Sequence, residues 1–377
     1  MKKTALVLVL ILSLLTLSAC GGAAEESNVI KIGTIAPTTG QVAVYGQAVD
    51  NAVRLAVKDK NAAGGLLEKE IELIGYDNKG DITESVNAFN RLVDNDGIDV
   101  FIGAVISSTT LTLAPLAVET EIPMISATAT NLEITPIGDN IFRACFIDPY
   151  QGIVLAQFAA GELQAKTVGI LFNTADDYST GLADAFKAEF EAAGGTITNF
   201  EGYTGGSDKD FKSLLTKVKA EMPDVLFLPD YYNTVALIAE QAKEVGVEST
   251  LIGGDGWDGV LGVTTEAVEG AYYAAHFAKD DPAEHVQEFI TEFKEETGEM
   301  PNSFSALGYD AAMIMMEAVE VAGSTDSAAV VEALKATSYD GVTGHIEFDA
   351  DGNPVKSISI IQVKDGVDTL YGKFDAK

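Results

Sequence analysis

The chain is poor in the residues that usually carry redox and acid–base chemistry: of 377 residues, two are cysteine, three are histidine and one is tryptophan. One cysteine, Cys20, falls in an N-terminal segment of its own kind, which leaves Cys145 without a partner for an internal disulfide. The fold must then hold by its core. The histidines, His276, His285 and His345, are scattered, and no cysteine pair stands at metal-ligand spacing. The run Asp349-Ala350-Asp351-Gly352-Asn353 has Pro354 where a calcium loop needs its sixth-place glycine, and it reads as a hairpin turn. Neither a metal nor a cofactor is expected. Ser107 lacks the Gly-x-Ser-x-Gly setting of a nucleophile elbow, none of the histidines falls in a predicted cleft loop, and no phosphate-binding glycine motif is present. No catalytic residue is therefore expected. Positive charge is scarce as well: 24 Lys and Arg face 57 Asp and Glu, a formal charge of −33. Such a surface repels nucleic acid and anionic lipid head groups.

Only the N-terminus is strongly apolar. Met1-Lys2-Lys3 precedes an apolar run from Ala5 to Ala19, then Cys20-Gly21-Gly22. At about 1.5 Å per residue the run covers roughly 22 Å as a helix, short of the roughly 30 Å hydrocarbon core, so a removable export signal over residues 1–19 is expected rather than a permanent span. Leu17-Ser18-Ala19-Cys20 resembles the bacterial lipobox, which implies a diacylglycerol on Cys20, whose two chains suffice for stable anchoring. Residues 20–28 then form a flexible tether. The expected place is the outer face of the cell membrane, a Gram-positive-type surface rather than a periplasm.

Beyond the tether, short Val/Ile-rich runs alternate with longer amphipathic ones, the pattern of parallel strands joined by helices. Two stretches repeat each other. Ala62-Ala63-Gly64-Gly65, a strand over Ile71 to Tyr76, a helix opened by Asp81 with Glu84 as a capping box, and Asp99-Val100-Phe101-Ile102 are matched by a second set. That set is Ala192-Ala193-Gly194-Gly195, a strand over Thr196 to Tyr203, a helix after Asp208, and Asp224-Val225-Leu226-Phe227. The fold class is thus α/β: two doubly wound parallel-sheet lobes, with ligand held beyond the carboxyl ends of the strands, in the cleft between them. Helices are expected at Ala283–Thr297, Ser303–Ala322 and Ser327–Ala336, returning to pack on the first lobe, then a strand-rich tail over Gly344–Tyr371.

The loops that this map brings face to face carry the candidate site. On one side stand Tyr45, Ser107-Ser108-Thr109-Thr110 at a helix start, and Ser126 to Thr130, which includes Thr128 and leads toward another helix. Hydroxyls and helix-start N–H groups suit a carboxylate, or they are only N-caps. On the other side stand Tyr178, Tyr231 and Gly253-Gly254-Asp255-Gly256-Trp257. Asp255 suits an ammonium group, or it is a turn aspartate. The tyrosines either close over an apolar side chain or pack in the core.

At these residues the chain resembles the leucine/isoleucine/valine-binding family of type I periplasmic binding proteins, which serve ABC importers. The likeness runs from about Val29 to the C-terminus. It rests on Ile30-Lys31-Ile32-Gly33 with Pro37, Gly40 and Tyr45-Gly46; on Phe101-Ile102-Gly103 with Ser107; on Pro123-Met124-Ile125-Ser126 with Thr128 and Thr130; and on Tyr178-Ser179-Thr180-Gly181, Gly253 to Trp257 and Gly308-Tyr309-Asp310-Ala311. The resemblance implies that Ser107, Thr128 and Thr130 receive a ligand carboxylate, that Asp255 receives the ammonium in place of a more usual glutamate, and that the three tyrosines line the cleft. It also implies lobes made of residues 29–147 with about 278–340, and 148–277 with about 341–377. The expected function is capture of an α-amino acid, branched-chain or otherwise aliphatic, by a monomer that presents it to ABC permease subunits. The alternatives are another small carboxylate or amide as ligand, or a sensor serving a signalling partner.

Overall fold

A computed structural model describes residues 28–205 and 209–376. The export signal, Cys20 with most of its tether, and Asp208 lie outside the described residues. Within them no helix is long and apolar enough to cross a membrane.

The first lobe is built from β1 (Val29–Ala36), α1 (Ala43–Ala62), β2 (Glu70–Asp77), α2 (Ile82–Arg91), β3 (Val100–Gly103), α3 (Ser107–Glu119), β4 (Met124–Ser126) and β5 (Ile141–Arg143). Its strands lie in the order β2-β1-β3-β4-β5, all parallel. Helices cover both faces, so the central strands are apolar throughout, and Val100, Phe101 and Ile102 are fully buried. At the start of α2, Asp81 accepts from the Glu84 N–H at 2.9 Å. The reciprocal half of the expected capping box is missing, because the Glu84 carboxylate turns to Lys79 at 3.7 Å.

Helix α4 (Asp148–Gly161) opens the second lobe, followed by β6 (Thr167–Asn173), α5 (Asp177–Ala192), β7 (Thr196–Tyr203), α6 (Lys212–Glu221), β8 (Val225–Leu228), α7 (Tyr232–Val245), β9 (Thr250–Gly253) and β10 (Tyr272–Ala275). The run β7-β6-β8-β9 repeats β2-β1-β3-β4, as the duplicated sequence implies. Each Ala-Ala-Gly-Gly ends a helix with a glycine at positive φ, +115° at Gly64 and +86° at Gly194, where a side chain would be strained.

The chain then returns through α8 (Glu284–Thr297), α9 (Ser303–Ala322) and α10 (Ser327–Lys335). Helix α9 lies against α1 so closely that a Cβ on Gly308 would stand 3.0 Å from the Val49 backbone. Asn302 and Ser305 cap α9 reciprocally. A small hairpin, β11 (Ser338–Gly341) with β12 (Gly344–Glu347), leads back to β13 (Ile358–Lys364) and β14 (Val367–Phe374) on the second sheet. These last strands make that sheet mixed, since β13 runs antiparallel to β10, and β14 to β13. Asp365 and Gly366, both at positive φ, form the tight turn that only an antiparallel pair can use. A second departure lies after Ser126. The helix expected beyond Thr130 is a single 3-10 turn, Thr135–Ile137, ended at once by Gly138 in extended geometry.

Candidate functional site

The carboxyl ends of β1, β3 and β4 face those of β6, β8 and β9, and the lobes meet there in a closed arrangement. Tyr45, in the first turn of α1, reaches across: its hydroxyl donates to the Gly256 carbonyl at 2.5 Å and accepts from the Tyr232 N–H at 3.1 Å. Its ring stacks on Phe304 of α9 with centroids 4.1 Å apart and meets Tyr231 edge-on at 5.9 Å. Tyr178 stacks on Tyr231 at 5.2 Å, and its hydroxyl accepts from the Gly256 N–H at 3.0 Å. The three tyrosines therefore form one aromatic wall spanning both lobes.

Opposite this wall stand Val105, Ile106, Ser107, Thr128 and Thr130. No side chain caps α3, whose N-cap position is Ile106. The Ser107 hydroxyl instead accepts from the Asn131 N–H at 3.3 Å, and the Thr109 and Thr110 hydroxyls turn back to the Ile106 carbonyl at 3.1 and 2.8 Å. The first-turn N–H groups of a buried helix without a side-chain cap are an anion seat. Thr128 donates to the Val105 carbonyl at 2.5 Å, which pins its loop to the end of β3. Beneath that loop runs Arg143, wholly buried, with Nη1 donating to the Ala129 carbonyl at 2.8 Å. It sets a positive charge behind the hydroxyl side.

The acid end is more elaborate than the sequence suggested. Asp255 Oδ1 accepts from Gln151 Nε2 at 3.1 Å, while Gln151 Oε1 accepts from the Asp255 N–H at 2.7 Å. His276 Nε2 lies 3.2 Å from Asp255 Oδ2, and its ring stacks on Phe146 at 3.6 Å. Burial pulls His276 down to about 4, against the pull of Asp255 the other way, so at neutral pH the ring is uncharged and Nε2–H donates. Asp148, in the first turn of α4, has both carboxylate oxygens buried without a well-formed hydrogen bond. Burial raises its pKa well above the usual range, the Thr130 hydroxyl acts against that rise, and the charge of Asp255 adds to it. Among the described residues lining the cleft there is no Lys, Arg or His. Asp255 thus meets a cavity that offers it no protein cation, while Asp148 stands beside Thr130 within reach of the Arg143 charge.

Of the residues read from the sequence, Tyr45, Ser107, Thr128, Thr130, Tyr178, Tyr231 and Asp255 come together around this cavity. Ser108 and Trp257 do not. Ser108 is one position further round α3, and its carbonyl takes the Thr112 hydroxyl at 3.0 Å. Trp257 turns into the second lobe's core, fully buried, with Nε1 donating to the Leu228 carbonyl at 2.8 Å, which places it under the site rather than in it. Gln151, Asp148, His276, Arg143 and Phe304 were missed. His276 falls in none of the predicted cleft loops and does not line the cavity, but it stands behind it against Asp255. Asp148 alone had a local signal, an acid followed by a proline at a helix start. The free space left in the closed cleft is about 10 Å³, room for roughly one water.

Residues 29–368 match the model of a family described as "Periplasmic binding protein". The chain is 31% identical over 331 residues, 87% of either chain, to a leucine-, isoleucine-, valine-, threonine- and alanine-binding protein of Pseudomonas aeruginosa. Among solved structures it resembles a leucine binding protein, LivK, from Thermotoga maritima, with a TM-score of 0.87 and 33% identity over 92% of this chain and 99% of the other. It also resembles the branched-chain amino acid transporter substrate binding protein LivJ of Streptococcus pneumoniae, solved with isoleucine, with a TM-score of 0.86 and 30% identity over 92% and 99%.

Proposed function

Because the chain belongs to the periplasmic binding protein family, an extracytoplasmic family, we propose that it captures an aliphatic α-amino acid between its lobes and delivers it to the permease of an ABC importer. One observation carries the amino-acid reading. Hydroxyls and uncapped helix-start N–H groups around Ser107, Thr128 and Thr130 face the buried acid Asp255, with no protein cation lining the space between. A zwitterion supplies both missing charges from one carbon atom. Uncompensated buried acids are costly, and a guest ammonium offsets that cost. Val105, Ile106 and Phe304 offer apolar surface for the side chain. The relatives' ligands, leucine and isoleucine among them, support an aliphatic guest.

On this reading the hinge divides the chain into residues 29–147 with about 278–340, and 148–277 with about 341–377, acting as a monomer. No catalytic role is assigned. His276 Nε2 is spent on Asp255 rather than on a serine or threonine hydroxyl, so His276 activates no nucleophile through it. The lipobox supports a lipid on Cys20 and a place at the outer face of the membrane, where a short tether raises the effective concentration of bound ligand near its permease. Replacing Cys20 with Ala should then release the protein into the medium with its binding intact. Calorimetry with the twenty amino acids tests the binding itself: saturable heat with Leu, Ile, Val or Ala is expected, and silence with all twenty would overturn the proposal.

A further inference from the structure

A second cavity lies behind the cleft, where the chain crosses between the lobes. It measures about 340 Å³ and is walled by His276, Asp281, Thr343, Lys356, Ser359 and Lys373. Volumes of roughly 300–1,000 Å³ are typical of small-molecule sites. Its walls come from the segment after β10 and the first turn of α8, the turn of the β11–β12 hairpin with the start of β12, the stretch before β13, and β13 and β14.

The charge balance of these walls is unusual for so acidic a chain. Asp281 is paired with Lys373 at 2.7 Å, which accounts for both. Lys356 is 94% buried, as its 6% exposure shows, and its ammonium donates to the Ala144 carbonyl at 3.0 Å and to the Thr343 hydroxyl at 2.6 Å. Among the described residues no carboxylate forms an ion pair with it. Asp310, the acid whose charge acts on it, stands behind Thr343, and its oxygens are taken by the Val342 and Thr343 N–H groups and the Thr343 hydroxyl. Lys356 therefore has two neutral acceptors, one N–H to spare and a cavity in front of it. Burial draws it down to about 8, which still leaves it mostly protonated at neutral pH. A buried cation is ordinarily paired.

We propose that this hinge cavity is a second binding site, for a small oxyanion, held by the Lys356 ammonium with the buried Ser359 hydroxyl as an added donor. The ligand chemistry is that of a phosphate or a small carboxylate, and two probes separate them. The intact protein, free of amino acid, is titrated with inorganic phosphate and with acetate, each against sodium chloride of equal ionic strength, and its thermal midpoint is followed. A saturable rise beyond the chloride control is expected, with phosphate alone assigning the former source and acetate alone the latter. A charge-assisted hydrogen bond is worth about 1.5–3 kcal/mol, so Lys356→Gln should weaken the effective anion at least roughly tenfold. Ser359→Ala, a smaller change, should weaken it several-fold and decides the matter if Lys356→Gln does not fold. No saturable rise with either probe, or an undiminished rise in the foldable variant, overturns the site. Acetate also suits the carboxylate seat of the cleft, but Lys356 and Ser359 line the hinge cavity and not that seat, so loss of the rise in their variants assigns it to the hinge whether or not the cleft binds an amino acid.

Discussion

Asp255 acts through where it is held as much as through its charge. Gln151 grips both its backbone N–H and one carboxylate oxygen, and His276 takes the other, so the acid is fixed before ligand arrives. Asp255→Asn keeps the shape and removes the charge opposite a desolvated ammonium, a loss of about 3–5 kcal/mol, or at least roughly a hundredfold in Kd by calorimetry. Tyr178→Phe should be milder, about tenfold, because it orphans the Gly256 N–H rather than a charge. Equal losses would count against Asp255 as the ammonium partner. A second residue, Asp230, titrates within reach: burial raises it to about 7, although the Tyr203 hydroxyl at 2.6 Å and the Tyr231 N–H at 2.7 Å pull it down. With a folded value above its unfolded one near 4, the native state holds the extra proton between roughly pH 4 and 7. That contribution to stability is full below the window and is lost as pH rises through 7. Asp230→Asn mimics the protonated form, so its stability relative to wild type should increase from pH 5 to pH 8 in denaturant melts. A pH-independent difference would contradict the shift.

Helices α4 and α5 meet through Gly152, where an added Cβ would stand 2.7 Å from the Ala185 Cβ and 2.8 Å from the Phe186 N. Backbone on one side leaves nothing to yield. Gly152→Val should cost about 1–3 kcal/mol in denaturant unfolding while sparing amino-acid affinity in the folded fraction, provided α4 keeps Gln151 in place. Elements of this kind were largely legible in the sequence. The paired Ala-Ala-Gly-Gly stops, the strand Thr196–Tyr203 and the helix Ser303–Ala322 are local patterns, set by glycine conformation and hydrophobic period. The hydroxyl side of the cleft was legible for the same reason, since a strand end and the helix after it share one stretch of chain. The acid end was not. Gln151 lies 104 residues from Asp255, and His276 follows β10, so only the packing of α4 and β10 within the second lobe brings them together. Trp257 shows the opposite failure: adjacency to Asp255 suggested the site, but an indole with its own carbonyl partner and a core to fill turned inward.

Closure of the whole molecule rests on a few hydrogen bonds between the lobes. Besides Tyr45 to Gly256, the Tyr232 hydroxyl donates to the Gln41 carbonyl at 3.1 Å, Asn131 Nδ2 to the Asp177 carbonyl at 3.0 Å, and the Ser303 N–H to Asp258 at 2.8 Å. Opening returns these groups to water, so each favours closure by only about 0.5–1.5 kcal/mol. Open and closed forms then lie within a few kcal/mol of each other. With room for about one water in the closed cleft, an amino acid must enter the open form and stabilise closure by touching both faces. Tyr45→Phe tests this, because it removes a hydroxyl that serves Gly256 and Tyr232 at once yet faces no ligand charge. Without ligand, its radius of gyration in solution scattering should exceed that of wild type. At saturation the two should converge, with affinity weakened roughly tenfold and the loss appearing as faster release, since the closed complex is what Tyr45 holds. Unchanged affinity with an unchanged unliganded radius would mean that closure does not depend on this contact, and the burden would pass to Tyr232, Asn131 and Ser303.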